Sequence, residues 1–402
     1  MKYDFTTFLD RSGMDALAID GVGQKGWGFN PQPPKEGFDF IPMWVADMNF
    51  ATAPSVTEAL ARRVSHPIFG YFFPSDAYFE SIIRWQSGFG HTGLTKKEIG
   101  YENGVHGFVS SCVQAFTQPG EKILLHEPVY VGYYHDVEGL GRTSVFSELI
   151  KDKDGIYRMD FEDMDRKIRE NHIHLVIFCS PHNPTGRVWD REELEKAMEI
   201  FERNQCIVVS DEIWCDLIIG DKPHIPLQLV NDWSKTHVAA AYAPSKTFNL
   251  AGLIGSYHII YDPWLRDRIT AWSHATHYNE INVLSMHALI GAYSGQGREW
   301  VNELNTVLRG NCRYACDFIH SHFPDVAVTL PEATYMLFLD CTEYCRKSGK
   351  SIDDVLKAGW DCGVGWQDGR KFNGPCHIRM NLALPERLVK EAFDRLQKYV
   401  FV

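Results

Sequence analysis

AAAYAPSKTFNLAGLIGS, residues 239–256, joins a run of small apolar residues to a proline turn and then to a second apolar run punctuated by glycine. The pattern predicts a strand at Ala239 to Tyr242, a turn that presents Ser245 and Lys246, and an apolar segment ending at Ser256. A lysine at the end of a buried strand loses hydration, which penalises its charged form. Its pKa falls, and the neutral amine becomes available as a nucleophile or base. The same three letters, S-K-T, also occur in solvated loops, so the neighbours decide.

Upstream of this stretch, strand and helix alternate as a mostly parallel sheet requires. Strands are expected at KILLH (122–126), TSVFS (143–147), LVIFCS (175–180) and CIVVSDEI (206–213), with helices at 160–171 and 191–204. Right-handed crossovers then give an α/β fold, a doubly wound sheet with helices on both faces. Ligands in such sheets lie at the carboxyl ends of the strands. Tyr130, Asn183, Asp211 and Lys246 all fall at such ends. An acid closing a buried strand, as in VVSDEI, is costly unless a cation or protonated ring nitrogen pairs with it. In SPHNPTG (180–186), Asn183 offers both a donor and an acceptor.

Earlier in the chain, ENGVHGFVSSCVQAFTQPG predicts a helix opened by Gly104 and closed by Pro119-Gly120. Its first amides, at Gly104, Val105 and His106, would face an anion. Pro54 at a first helical position starts another helix, to about residue 64, with Asp47 in the turn before it. A further helix is expected at 77–93. The segment HPIFGYFFPSD (66–76), broken by Gly70 and Pro74, reads as an ordered aromatic loop containing Tyr71. The first forty residues, rich in Gly and Pro, read as an extended arm on a surface.

Composition narrows the classes. The 402 residues exceed what one hydrophobic core usually organises. The formal net charge of −12 and the absence of a long Lys/Arg block disfavour nucleic-acid binding. No apolar stretch has the length of a membrane-spanning helix, and the amino terminus lacks the pattern of a secretory signal, so a cytoplasmic location is expected. The ten cysteines include no C-x-x-C, and the histidines no H-E-x-x-H; reduced thiols and no metal are the expectation.

The ordered set EPVY (127–130), SPHNPTG, SDEI (210–213), SKTFNLAGLIG (245–255) and HIRMN (377–381) resembles the fold-type I pyridoxal-phosphate enzymes related to class I/II aminotransferases. The resemblance runs over nearly the whole chain. PMWVADMNFATAP (42–54), FGY (69–71), PHNPTGRVW (181–189), the SDEI-x-x-D-L run and KPHIP (222–226) are more specifically similar to the MalY/PatB subfamily of cystathionine β-lyase-like carbon–sulfur lyases.

The resemblance implies a cofactor, pyridoxal 5′-phosphate, bound covalently by Lys246, which would also shuttle the substrate's α-proton. Asp211 would keep the pyridine nitrogen protonated, Asn183 would bond the phenolic oxygen, and Tyr130 and Ile213 would flank the ring. Gly104, Val105, His106 and Ser245 would hold the phosphate, with Tyr71 reaching in from a neighbouring subunit of a homodimer. Arg379 would grip the substrate carboxylate with its fork. The chain departs from the pattern of many relatives at Trp214, at Ala243-Pro244, at Ile254 in place of a phosphate-binding arginine, and at Gln367.

The expected architecture is a large cofactor domain at 48–290, with 1–47 and 291–402 forming a smaller one. Strands at YMLFLD (335–340) and HIRMN, a helix at 351–362, the loop 363–374 and an amphipathic final helix make up the latter. The leading functional reading is a β-lyase acting on L-cystathionine or related cysteine S-conjugates. A class I/II aminotransferase is the alternative, and a cofactor-binding regulator without catalysis the third reading.

Overall fold

The computed structural model describes residues 1–24, 30–277 and 279–402. After a two-residue strand β1 (Ile41–Pro42), eight strands form the principal sheet: β2 (Ile99–Glu102), β3 (Lys122–Glu127), β4 (Thr143–Lys151), β5 (Tyr157–Met159), β6 (Leu175–Cys179), β7 (Ile207–Asp211), β8 (Val238–Tyr242) and β9 (Ser256–Ile259). Their spatial order is β2-β9-β8-β7-β6-β3-β4-β5. The central five, β8-β7-β6-β3-β4, are parallel. The edge strands β9, β2 and β5 run antiparallel to their neighbours.

Of the central strands, β3, β6, β7 and β8 carry no alternation because both faces are covered, whereas β4, nearer the edge, alternates between buried and exposed positions. Every residue of LVIFC in β6 and of VAAAY in β8 is buried. One apolar layer, including Phe108, Val109, Val137 and Ile269, packs helices 104–116, 131–139 and 263–276 on one face. The larger core lies on the other face and continues into the small sheet. Parallel register levels the strand ends: Cys179 pairs with Asp211, and Asp211 with Ala241. Side chains that follow β6, β7 and β8 therefore emerge along one rim.

Helices begin close to where the sequence places them, at Pro54–Val64 and Gly104–Phe116, while the 77–93 helix is shorter, Asp76–Ser87. The apolar run 253–261 yields only the four residues of β9. Ala251–Leu253 instead form a 3₁₀ turn, and Ile254 takes a φ of 44°, a left-handed conformation that a β-branched residue seldom adopts. A helix of 28 residues, Gly295–His322, runs on from the principal fold toward the small sheet.

That small sheet contains β10 (Met336–Asp340), β12 (Gln367–Asp368) and β13 (His377–Asn381), all antiparallel, while β11 (Val364–Gly365) pairs in parallel with β1. Its register sets Gln367 directly across from Arg379. All ten cysteines are free of disulfides, and eight are buried. Part of the expected amino-terminal arm, residues 25–29, lies outside the described residues. Among the described residues no helix is long and apolar enough to cross a membrane.

Candidate active site

The rim at the ends of β6, β7 and β8 borders a cleft of about 320 Å³, lined among others by Gly104, Val105, His106, Tyr130, Asn183, Asp211, Ile213, Ser245 and Lys246. Nine of the eleven residues singled out from sequence thus meet in one space. Ala46, Tyr133 and Trp214 join them.

Lys246 sits in the short helix Pro244–Thr247 that follows β8, opened by proline at its first position. Its Nζ donates to the Ala46 carbonyl at 2.9 Å. Burial, reinforced by the Arg379 charge, pushes its pKa down to about 8. The Tyr335 hydroxyl donates to the same carbonyl at 3.0 Å.

Asp211 closes β7 and is 4% exposed. Its Oδ1 accepts the Ile213 N–H at 2.9 Å, and its Oδ2 accepts the Tyr133 phenol. Burial raises its pKa, against the pull of those two donors. Among the described residues it makes no ion pair. A buried acid left without a cation in the protein is matched to a cation that arrives with a ligand.

Also lining the cleft, the helix 104–116 begins at Gly104 with φ 74°, a conformation suited to glycine. The N–H groups of its first turn have no partner within the helix, and the dipole favours an anion there. His106 lies beside them. Its Nδ1 is 2.7 Å from an Asp136 oxygen and its Nε2 is 3.1 Å from the Tyr130 hydroxyl. Desolvation of the half-exposed ring would lower its pKa, but the Asp136 bond and charge prevail and raise it. The close fit depends on Gly132, where an added Cβ would lie 1.9 Å from the His106 ring.

Arg379 and Tyr71 are not part of the cleft lining, though Arg379 is bonded to it through Asn183. Arg379, 3% exposed on β13, is outside the lining. Its Nη1 donates to Asn183 Oδ1 at 3.3 Å; its Nη2 donates to Gln367 Oε1 at 2.6 Å and to the Trp44 carbonyl at 3.3 Å. The guanidinium lies 4.2 Å from the Phe372 ring centroid, its Nε has no hydrogen-bond partner among the described residues, and burial pushes its pKa down to about 10. Tyr71 is fully exposed on the loop before the Asp76 helix. It borders a separate surface hollow with Phe69, Phe72, Asn279, Glu280 and Ile281.

Sequence reasoning missed Tyr133, Asp136, Tyr335 and the Ala46 carbonyl. A usable signal existed for the first two: positions 130, 133 and 136 recur at a spacing of three along one helical face. None existed for a backbone acceptor two hundred residues from its lysine.

The family model of class I and II aminotransferases matches residues 39–396. The cystathionine β-lyase PatB of Bacillus subtilis is 36% identical over 351 residues, covering 85% of this chain and 89% of that protein. Among solved structures, a PLP-bound aminotransferase of Clostridium difficile, whose function is given only provisionally, superimposes with a TM-score of 0.90 at 30% identity, covering 98% and 99% of the two chains. The PLP-bound C–S lyase of Staphylococcus hominis does so with a TM-score of 0.88 at 29% identity, covering 100% and 99%. With a matched fold, a strand-end cleft and this extent of similarity, the chain belongs to the class I and II aminotransferase family.

Proposed function

We propose that this chain is a pyridoxal-phosphate-dependent carbon–sulfur β-lyase that cleaves L-cystathionine or related cysteine S-conjugates to a thiol, pyruvate and ammonia. Three features of the cleft fit the cofactor: an amine with a depressed pKa at Lys246, a buried carboxylate at Asp211 with no ion pair among the described residues, and the amides of Gly104, Val105 and His106, which have no acceptor within their own helix. What supports lyase chemistry over transamination is the similarity to PatB across 85% of the chain. When bound, the cofactor supplies an electron sink for the pair left at the substrate's α-carbon.

The protein's residues supply the rest. Lys246 would hold the cofactor covalently, and its Nζ, when free, would take the substrate's α-proton. Asp211 would keep the cofactor's ring nitrogen protonated, Asn183 would donate toward its phenolic oxygen, and Tyr130 and Ile213, which line the cleft, would pack against its ring. The amides at 104–106, His106 and Ser245 hold the phosphate. Arg379, with Asn183, receives the substrate carboxylate, exchanging neutral partners for a charged one. Loss of the α-proton and departure of the β-thiolate leave 2-aminoacrylate, which takes up water and breaks down to pyruvate and ammonia.

In the same reading two copies form a homodimer, and Tyr71 of one completes the phosphate site of the other. Tyr71→Phe then raises the cofactor's dissociation constant roughly tenfold or more, the worth of one hydrogen bond to a charged group. Fluorescence titration of the apoprotein measures it, and an unchanged constant removes Tyr71 from the site.

Reconstitution reports on Lys246. Only its neutral form attacks the cofactor aldehyde, so the rate of cofactor uptake should rise with pH and level off above a midpoint near about 8. Stopped-flow absorbance across pH 6 to 10 follows it. A midpoint near that of free lysine, about 10.4, would mean that the amine is solvated when it reacts.

The reaction itself is tested with L-cystathionine and a simple S-alkyl cysteine, cofactor added and keto acid absent. Equimolar pyruvate and thiol are expected. Amino transfer that appears only once a keto acid is supplied, with no pyruvate before it, would make the chain an aminotransferase.

A further inference from the structure

Beneath the cleft, Asp211 is gripped by a residue that the reaction described above does not use. Tyr133 lies on the helix Val131–Gly139, one turn after Tyr130, and is 3% exposed. Its ring meets the Tyr130 ring edge to face at 5.3 Å, and its phenol donates to Asp211 Oδ2. One helical turn therefore carries both the aromatic face of the cleft and a donor to the acid at its floor.

The other groups facing Asp211 define what that donor does. His106 from the 104–116 helix and Lys246 from the 244–247 helix act through charge. Cys179, the register partner on β6, is a neutral thiol that donates to the Pro181 carbonyl at 3.3 Å. Ile213 contributes its backbone N–H. Tyr133 is thus the one side chain that hydrogen-bonds Asp211 among the described residues. Burial and the neighbouring acid push its phenol far above the ordinary range, so it stays protonated and remains a donor at any working pH.

We propose that Tyr133 is a positioning residue for the elimination, whose phenol holds Asp211 ionised and fixes its carboxylate so that the proton shared with the cofactor stays on the ring nitrogen. The inference rests on the reading of Asp211 as that nitrogen's partner. In a buried site the carboxylate competes for the proton, because desolvation favours the neutral acid. A hydrogen bond donated to the charged form lowers its basicity and tips the proton toward the ring. The second oxygen, fixed by Ile213, prevents rotation away.

Tyr133→Phe tests this with two readings besides turnover. In the apoprotein, the ¹³C carboxyl signal of Asp211, assigned by its loss in Asp211→Asn, should titrate about one pH unit higher in the Phe variant, a tenfold change in proton affinity. In the holoprotein made with ¹⁵N-labelled cofactor, the ring-nitrogen signal should move toward the unprotonated form. The kcat for pyruvate release should fall about tenfold with KM nearly unchanged, the pattern of a group acting on the transition state. Should the Phe variant not fold, 3-fluorotyrosine at 133, a stronger donor of similar size, must move both signals the opposite way.

A protonated ring nitrogen in both proteins, with the Asp211 midpoint unmoved, overturns the role of Tyr133 alone. An unprotonated ring nitrogen in the wild type, with the apoprotein midpoint still displaced, overturns the reading of Asp211 and this inference with it.

Discussion

Lys246→Ala abolishes pyruvate release, by roughly 10⁴-fold or more, while the protein still folds and still takes up cofactor noncovalently. Two functions are lost together: covalent attachment, and the positioned base that takes the α-proton, a contribution of about 10²–10⁴ by itself. The fold survives because nothing is orphaned. The Ala46 carbonyl that accepts from Nζ keeps its bond from the Tyr335 hydroxyl. The removed charge was moreover a burden, since burial lowers the lysine's pKa to about 8. A lysine whose folded pKa lies below its unfolded one opposes folding wherever the unfolded chain holds it protonated. At neutral pH the Ala apoprotein should therefore melt no lower than the wild type. Pyruvate assays with thermal melts of both apoproteins measure the two effects, and substantial residual turnover would move the base elsewhere.

Asp211→Asn has the second-largest effect and the same sign pattern. The amide oxygen still accepts from Ile213 or Tyr133, but the negative charge is gone, and with it a charge-assisted hydrogen bond worth about 1.5–3 kcal/mol. Cofactor affinity should fall roughly 10- to 100-fold, and kcat should fall further because the ring nitrogen loses its proton. Stability moves the other way. Burial raises the folded-state pKa of Asp211. This is the reverse of the usual paired carboxylate: the stabilising influence is present below the unfolded pKa and is lost as pH rises through the folded one. At neutral pH the Asn apoprotein is expected to melt higher than the wild type, and the difference should shrink on acidification. An Asn variant that melts lower at neutral pH would show that the charge is paid for within the protein. Activity and stability pulling apart at one position is the mark of a residue kept for its chemistry.

What sequence made legible follows from where the information lies. Lys246, Asp211, Asn183 and Tyr130 each follow an apolar strand, and parallel register brings strand ends together whatever the loops do. The same pattern located β3, β6, β7 and β8 to within two residues of their ends. The long helix Gly295–His322 escaped because glycines at 295, 297 and 310 weaken its helical signal, while its burial against other elements is tertiary. β9 is short because Ile254 is held in a conformation that its side chain opposes, a choice imposed by surroundings that no local pattern encodes. Tyr133 went unseen for a different reason, since its spacing of three from Tyr130 was there to be read. An aromatic on a core-facing helix reads as packing until its hydroxyl is found against a carboxylate.

The segment 44–48 carries a further lesson for anyone altering this protein. Its consecutive carbonyls accept from Arg379 at Trp44, from Asn381 at Val45 and Asp47, from Lys246 and Tyr335 at Ala46, and from Asn249 at Met48. Two residues at the heart of the chemistry, Lys246 and Arg379, are anchored to main chain that every amino acid possesses. An alanine scan across 44–48 would leave these carbonyl acceptors in place and would report instead on what the side chains do, such as the Trp44 indole donating to the Ala18 carbonyl and Asp47 pairing with Arg11. Only changes to the main chain itself, such as an inserted residue or an ester in place of the peptide unit, would reveal how much of the site hangs from this strap.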